Sequence, residues 1–189
     1  MWAKVEGASI TEIIPRPKAM TVGDTQYPRN IFDLWGAAEL KGIGIYPITM
    51  DNTNWKATDY YTNTGISYTW DSDNETVTGA YGTATAKTLA DLKTLKKSGV
   101  NRQANSLLSE YDWYTLRAAS GGTAIPSSVS TYQAAVRTKA NSMCTQIDGA
   151  ANVDALAALY VYNSDTPPVK PLGEWPSKPA EYGSNKNTA

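Results

Sequence analysis

The spacing of apolar residues changes once along this chain, near Thr85. Before that point apolar and polar residues alternate, which is the period of strands with one buried face. After it, apolar residues recur every three to four positions, which is the period of helices with one buried face. Because the two patterns are segregated, we predict an α+β fold with a β-rich N-terminal domain, residues 1–84, followed by a helical domain, residues 85–162.

The predicted N-terminal domain consists of antiparallel β-hairpins with one short helix. Alternating residues at 66–70 and 76–81 are separated by a run of Asp, Ser and Asn, which favours a hairpin turn. The chain opens with a second hairpin signal at 2–5 and 9–14. The other predicted elements are an edge strand at 20–22, a helix that begins after Asn30 and ends near Leu40, and a strand at 43–50.

Three acidic residues near that hairpin turn raise the alternative of a metal site. Asp71, Asp73 and Glu75 have the spacing of the start of a calcium-binding loop. Such a loop needs glycine at its sixth position and an acid at its twelfth, which here are Thr76 and Gly82. We therefore predict a hairpin turn and no metal ligands.

The predicted helical domain is a helical hairpin with a third helix, a three-helix module. Glycine weakens a helix by about 1 kcal/mol relative to alanine, so a kink or break is expected at Gly99. The predicted helices run from about Thr85 to the Asp112 region, from a cap at Ser127 or Ser128 to Gly149, and from Asn152 to Tyr162.

The first of these helices runs into an acidic, aromatic corner. Trp113 and Tyr114 follow an apolar pair of leucines, so large rings are available to contact another layer or a partner. Glu110 and Asp112 lie two positions apart beside Trp113, and glycoside hydrolysis uses a pair of carboxylates. We predict instead that Asp112 caps or turns the chain and that Glu110 is a solvated helix residue.

The composition changes again after Asn163. Half of the ten prolines lie in residues 163–189, together with Ser, Gly and Lys. This composition predicts an extended C-terminal arm without a packed core, which neighbouring chains would hold. Deletion of residues 167–189 is accordingly predicted to leave the fold intact and to abolish assembly.

The residue inventory excludes several kinds of catalysis. There is no histidine, which excludes Ser-His-Asp and Cys-His nucleophiles and His-containing zinc sites. The single cysteine, Cys144, lies near an apolar helix face, where we predict a buried thiol, and it indicates folding in a reducing compartment. We predict no catalytic residues, no cofactor, no metal and no enzymatic activity.

Charge and hydropathy restrict the partners. The formal net charge is -1, and the densest basic cluster, Lys93, Lys96 and Lys97, is predicted to be a solvated helix face. Nucleic acid is therefore not an expected partner. The N-terminus has charges that interrupt any signal-peptide core, and no apolar run is long enough for a membrane span.

Aromatic usage favours binding. Twelve Tyr and six Trp accompany one Phe, and Tyr and Trp combine an apolar ring with a polar group that suits interfaces. An alternative is a sugar-stacking platform formed by Trp55, Tyr60, Tyr61, Tyr68 and Trp70. The predicted interface residues are Trp55, Tyr60, Tyr61, Trp70, Trp113, Tyr114 and Trp175.

Short motifs over most of the chain carry a family resemblance. They lie at residues 1–5, 11–14, 30–32, 34–35, 38–41, 44–47, 81–84, 107–110, 112–113, 132–137 and 174–176. The most specific combination is the Leu107-Leu108 and Asp112-Trp113 corner with the Tyr132 to Arg137 helix. With these motifs the chain resembles a group of small tail proteins of tailed bacteriophages, which overlap with tail-fibre assembly-type proteins. It departs from them in the short stretch at 87–102 and in the Pro-rich arm.

The resemblance implies a structural component of a bacteriophage tail, at the baseplate or the tail-fibre attachment. It implies contacts with other tail proteins, a homo-oligomer within the virion, and assembly in the host cytoplasm. A tail-fibre assembly chaperone is the first alternative. A carbohydrate-binding receptor module of a tail fibre, which would bind a host glycan, is the second.

Overall fold

The structure, a computed structural model, describes residues 1–179. The chain divides into two compact units, Met1–Thr85 and a second unit that begins at Ala86. The first unit is mainly strands and the second mainly helices, which confirms the α+β class.

Nine strands and two short helices precede the long helices. They are β1 (Trp2–Glu6), β2 (Ser9–Ile14), β3 (Met20–Val22), β4 (Thr25–Tyr27), α1 (Ile31–Leu34), α2 (Ala37–Gly42), β5 (Ile45–Asp51), β6 (Tyr61–Thr62), β7 (Ile66–Asp71), β8 (Thr76–Tyr81) and β9 (Thr85–Ala86). The helical unit contains α3 (Leu89–Ser109), α4 (Asp112–Ala119), α5 (Ser127–Gly149) and α6 (Val153–Ala158).

The main sheet has five strands in the order β2-β1-β5-β8-β7. Both predicted hairpins are confirmed, because β1 pairs antiparallel with β2 and β7 pairs antiparallel with β8. The central pair, β5 with β8, is parallel, which the prediction of antiparallel hairpins missed. Alternation indicates a strand but does not show whether it runs parallel or antiparallel to its neighbour. A parallel pair needs a long connection, and the connection between β5 and β8 contains β7.

The two faces of this sheet pack into different clusters. Ile14 and Ile45, both fully buried, face the two short helices, from which Ile31, Phe32 and Leu40 complete the cluster. The opposite face carries a second cluster around Ala3, Val5 and Val77. Strands β2 and β7, at the two ends of the strand order, approach each other, so the sheet curls around this second cluster.

The predicted single helix from Asn30 to Leu40 is two helices. Asn30 is the N-cap residue of α1, but its side chain makes no capping hydrogen bond. Trp35 is extended, with φ -92° and ψ 142°, and this ends α1. The Gly36 backbone N–H then donates to Glu39 Oε2 at 2.7 Å, which starts α2. The predicted edge strand at 20–22 is β3, and it pairs with β4, which was not predicted.

Three predictions about the long helices are wrong. Helix α3 runs unbroken through Gly99, because Val100 and Ala104 are buried and their packing outweighs the low helix propensity of glycine. Helix α4 was not predicted, and its N-cap is Tyr111 instead of Asp112. Neither Ser127 nor Ser128 caps α5, because Pro126 occupies the N-cap position.

The end of the helical unit is predicted in part. Asn152 caps α6, and its Oδ1 accepts a hydrogen bond from the Ala155 N–H at 2.8 Å. The helix ends at Ala158 and does not reach Tyr162. None of the helices within residues 1–179 is long and apolar enough to cross a membrane.

The prediction of an extended arm without a packed core is wrong for residues 163–179, which we call the C-terminal strap. Leu172 is only 3% exposed, and its N–H donates to the Leu159 carbonyl at 3.0 Å. One large apolar side chain in a polar segment is enough to fix that segment when it enters a core. The remainder of the predicted arm, residues 180–189, lies outside the described residues.

We predict that Gly44→Ala destabilises the first unit by about 2 to 4 kcal/mol. Gly44 has φ +74°, and a Cβ there would lie 2.8 Å from the Val5 carbonyl oxygen. Gly7→Ala is the matched control, since Gly7 has φ +63° but no atom within 4 Å of the added Cβ. Urea unfolding measures both variants, and equal losses would contradict a role for the close approach at Val5.

Candidate interaction surfaces

The corner after α3 forms an aromatic cluster inside the helical unit. Tyr111, Tyr114 and Tyr132 are 0%, 2% and 4% exposed. The Tyr111 ring lies 5.1 Å from Tyr132 and 6.3 Å from Tyr114, centroid to centroid. Tyr114, a predicted interface residue, is thus part of the unit's own core. Burial raises the pKa of Tyr132, which the nearby Lys178 opposes and Glu110 reinforces.

Trp113 is half-buried on the outer side of this cluster. Its ring centroid lies 3.8 Å from that of Tyr114. The guanidinium of Arg117, one turn later, lies 4.8 Å from the Trp113 ring and 5.2 Å from the Tyr114 ring. Leu116, next to Arg117, is 68% exposed. The outer face of α4 therefore presents part of an indole ring and a leucine to solvent.

The two carboxylates of the corner have different surroundings. Glu110 is half-buried, and the Lys178 ammonium lies 2.9 Å from its Oε1 and 2.7 Å from its Oε2. The predicted solvated residue is thus an ion-paired one. Asp112 is exposed in the first turn of α4, where a negative charge is favourable near the positive end of the helix dipole.

The predicted solvated lysine face also contacts the unit itself. Lys93 donates to the Asp148 carbonyl oxygen at 2.8 Å, and Lys97 pairs with the Asp148 carboxylate at 2.7 Å. Lys96 lies over the Tyr160 ring, 4.9 Å from its centroid. The end of α5 attracts these cations, because a helix C-terminus carries partial negative charge.

Side-chain bonds attach the C-terminal strap to α3, in addition to the bond of Leu172 to Leu159. Trp175, a predicted interface residue, is half-buried, and its Nε1 donates to Gln103 Oε1 at 3.1 Å. Lys178 pairs with Glu110, the C-cap residue of α3, seven positions after Gln103. The strap thus runs along α3 and covers part of it.

A polar triad fixes the middle of the strap. The Tyr162 hydroxyl donates to Glu174 Oε1 at 2.8 Å, and Lys170 Nζ donates to the Tyr162 oxygen at 3.1 Å. Lys170 also pairs with Glu174 at 3.1 Å. The Tyr162 hydrogen bond and then the Glu174 contacts raise the pKa of Lys170, and the same bonds lower the pKa of Glu174. Both residues therefore keep their charges at neutral pH.

An exposed apolar patch lies beside this triad. We call Val161, Tyr162 and Val169, which are 63%, 51% and 48% exposed, the apolar patch. They line one shallow cavity of about 530 Å³ with Ala158 and other neighbours. These residues were not singled out from the sequence, because the helix was expected to continue to Tyr162. Its end at Ala158 is what leaves Val161 outside the core.

A groove lies between α3 and the strap. Its lining includes the cations Lys96, Arg102 and Lys170, the aromatic rings of Tyr160 and Trp175, and the apolar side chains of Val100, Met143 and Leu172. We call it the cationic groove, and its volume is about 350 Å³.

The predicted aromatic residues of the first unit do not share one environment. Tyr60 is buried, and Tyr61 is half-buried with Lys56 Nζ 5.6 Å from its ring centroid. Trp70 packs on Tyr46, with 4.4 Å between ring centroids, and both contact the core cluster of the curled sheet. Trp55 is 48% exposed. Tyr68, the fifth residue of the proposed sugar platform, is half-buried over Gly79, where an added Cβ would lie 2.9 Å from its ring.

The acidic residues at 71–75 form the predicted hairpin turn. Asp71 Oδ1 accepts hydrogen bonds from the backbone N–H groups of Asp73 and Asn74, at 3.0 and 3.2 Å. Asp71 Oδ2 accepts from the Asn74 side chain at 2.8 Å, and these bonds lower the pKa of Asp71. Among residues 1–179 no group of three or more His, Cys, Asp or Glu side chains is placed to hold a metal ion.

Cys144 is half-buried, whereas a buried thiol was predicted. Its Sγ lies 3.9 Å from Asn101 Oδ1 on α3. The residue is near the packed face of α5 but one position beyond the fully buried Met143, which explains the partial exposure.

We predict that Leu172→Ala lowers the free energy of unfolding of the helical unit by about 2 to 4 kcal/mol, because it removes a buried side chain. Val169→Ala is the matched control in the same strap, and we expect a loss below about 0.5 kcal/mol there, since Val169 is exposed. Thermal and urea unfolding measure both. Equal stability of Leu172→Ala and the unsubstituted protein would show that the strap does not stabilise the helices, as the extended-arm prediction required.

Tyr132→Phe is predicted to leave stability unchanged or to raise it slightly. The Tyr132 hydroxyl is buried, and no residue within 1–179 forms a hydrogen bond with it. Removal of an unsatisfied buried polar group avoids its desolvation penalty. Tyr132→Ala, which removes the ring as well, should cost about 3 to 5 kcal/mol. A loss above about 1 kcal/mol for Tyr132→Phe in urea unfolding would contradict this interpretation.

Comparisons with known proteins identify no family. No protein-family model matches this chain, and neither a curated protein sequence nor a solved structure is similar to it. The resemblance to small phage tail proteins therefore stays a prediction from short motifs. The function has to be inferred from the surfaces of the chain itself.

Proposed function

We propose that this chain is a structural component of a bacteriophage tail, at the baseplate or the tail-fibre attachment, and that it acts through protein-protein contacts. The observation that carries the proposal is the apolar patch of Val161, Tyr162 and Val169 on the helical unit. Neighbouring exposed apolar side chains mark protein interaction sites more often than scattered ones do. The location in a phage tail is proposed from the family resemblance.

The apolar patch is held in a fixed shape, which supports a role in binding. Asn163, between Val161 and Val169 in sequence, donates its backbone N–H to the Val169 carbonyl at 2.8 Å. Its Oδ1 accepts from the Val169 N–H, also at 2.8 Å. The triad with Lys170 and Glu174 fixes the Tyr162 hydroxyl. A surface that is ordered before binding loses less conformational entropy when a partner docks.

A tail-fibre assembly chaperone would use the same surface, so the two functions differ only in whether the chain stays in the particle. The receptor-module alternative depends on aromatic rings that are open to a sugar. Tyr60 and Trp70 contribute to packing, and Trp55 is the exposed member of that set. A test of glycan binding should therefore use Trp55→Ala instead of Trp70→Ala, because the latter would also disturb the core.

We predict that mass spectrometry of purified particles of the source phage detects this chain, with a copy number that is a multiple of three or six. Val161→Asp should reduce its incorporation about tenfold or more, because an unpaired charge in an apolar contact costs several kcal/mol. Leu34→Asp is the matched control, since Leu34 is an aliphatic side chain that is 73% exposed in the first unit.

The possible outcomes separate the structural role from the chaperone role. A chain found only in infected-cell lysate, and never in particles, would contradict the structural role and favour the chaperone. Equal incorporation of Val161→Asp and Leu34→Asp would contradict the assignment of the apolar patch as the contact surface. Circular dichroism and melting temperature confirm that both variants are folded.

A further inference from the structure

The cationic groove has an apolar floor and basic residues along it. The proposed function does not account for this feature. Val100, Met143 and Leu172 contribute to its lining and are 4%, 2% and 3% exposed, so they form a fixed apolar floor. The volume of about 350 Å³ is enough to hold one or two large side chains.

The walls of the groove are aromatic and held in place. Trp175 is bonded to Gln103 on α3 through its Nε1, at 3.1 Å. On the other side, the Tyr160 ring has the Lys96 ammonium 4.9 Å from its centroid. Because both rings are positioned by contacts within the unit, the groove does not have to form when a ligand arrives.

The groove is basic. Lys96, Arg102 and Lys170 line it, and within residues 1–179 no carboxylate does. Lys170 already pairs with Glu174, and Lys96 lies over the Tyr160 ring, so we assign the recognition of a negative charge to Arg102. Arg102 is exposed on α3 and can present its guanidinium to a carboxylate in two parallel hydrogen bonds.

The basic residues of the sequence are concentrated in its second part, which contains the groove. The first 85 residues contain six basic and ten acidic residues, whereas the residues from Ala86 onward contain eleven basic and eight acidic ones. The sequence from Ala86 onward therefore has a formal charge of +3, and the groove brings cations next to an apolar floor.

We propose that the cationic groove binds an acidic, apolar peptide segment of a partner protein, with a large apolar side chain on the floor and a carboxylate against Arg102. A peptide fits better than a small molecule, because Lys170 and the chain from Tyr160 to Tyr162 connect the groove with the apolar patch. An extended segment can contact both. The inference rests on the proposed function only in that the partner is a protein.

The test is fluorescence anisotropy with a fluorescein-labelled short peptide of alternating Glu and Leu residues with a central Trp. A peptide with Lys in place of Glu, and one with Ser in place of Leu and Trp, are the ligand controls. We expect the acidic apolar peptide to bind at least about tenfold more tightly than either control, since both the charge and the apolar side chains are needed.

Matched variants assign the binding to the groove. Arg102→Glu should weaken binding of the acidic apolar peptide about fivefold or more. Arg137→Glu is the control, because Arg137 is exposed on α5, does not line the groove, and changes the net charge as Arg102→Glu does. We expect it to change affinity less than about twofold. Melting temperatures confirm that both variants are folded.

Each other outcome would overturn the proposal. Absence of binding at millimolar peptide, equal binding of the Lys peptide, or equal losses from Arg137→Glu and Arg102→Glu would show that the groove does not select this ligand. Full competition by decanoate would indicate a small-molecule carboxylate instead. A protein dimer that the peptide dissociates, seen by sedimentation, would make a second copy of the chain the occupant. None of these results depends on whether the chain is found in phage particles.

Discussion

The packing of α3 against α5 is the interaction on which the C-terminal strap and the proposed binding groove depend. Both helices are amphipathic, and each contributes a buried stripe that includes Val100 and Ala104 from α3 and Val136, Ala140 and Met143 from α5. Burial of such side chains contributes about 1.5 to 3 kcal/mol each for the larger ones. The strap and the cationic groove lie against this pair of helices.

The C-terminal strap shows how a polar segment becomes part of a folded unit. Its ion pair between Lys178 and Glu110 is partly exposed and contributes less than about 1 kcal/mol. The hydrogen bond from Trp175 to Gln103 adds about 1 kcal/mol. Leu172 contributes more than either, because its side chain is removed from water. The polar bonds therefore fix the register of the strap, and the leucine supplies most of its attachment.

Individual elements show where sequence reasoning succeeds. The hairpin of β7 and β8 was predicted because alternation and turn residues act within about a dozen positions, and Asp71 forms the turn as expected. The break at Gly99 was wrong because local propensity is weak compared with the burial of Val100. Trp70 and Tyr114 were expected at interfaces, yet both contribute to cores. The composition of a sequence does not show whether a particular aromatic side chain faces the core or the surface.

The sequence by itself determined the α+β class, the change near Thr85, most helix and strand positions, and the lack of histidine chemistry. These follow from residue identity and from periods of two and 3.6, which are local properties. The tertiary structure alone decided the parallel pairing of β5 with β8, the docking of Leu172, and the exposure of Val161 beside Val169. These depend on contacts between residues distant in sequence, and no local pattern specifies which distant partner a strand or a leucine will meet.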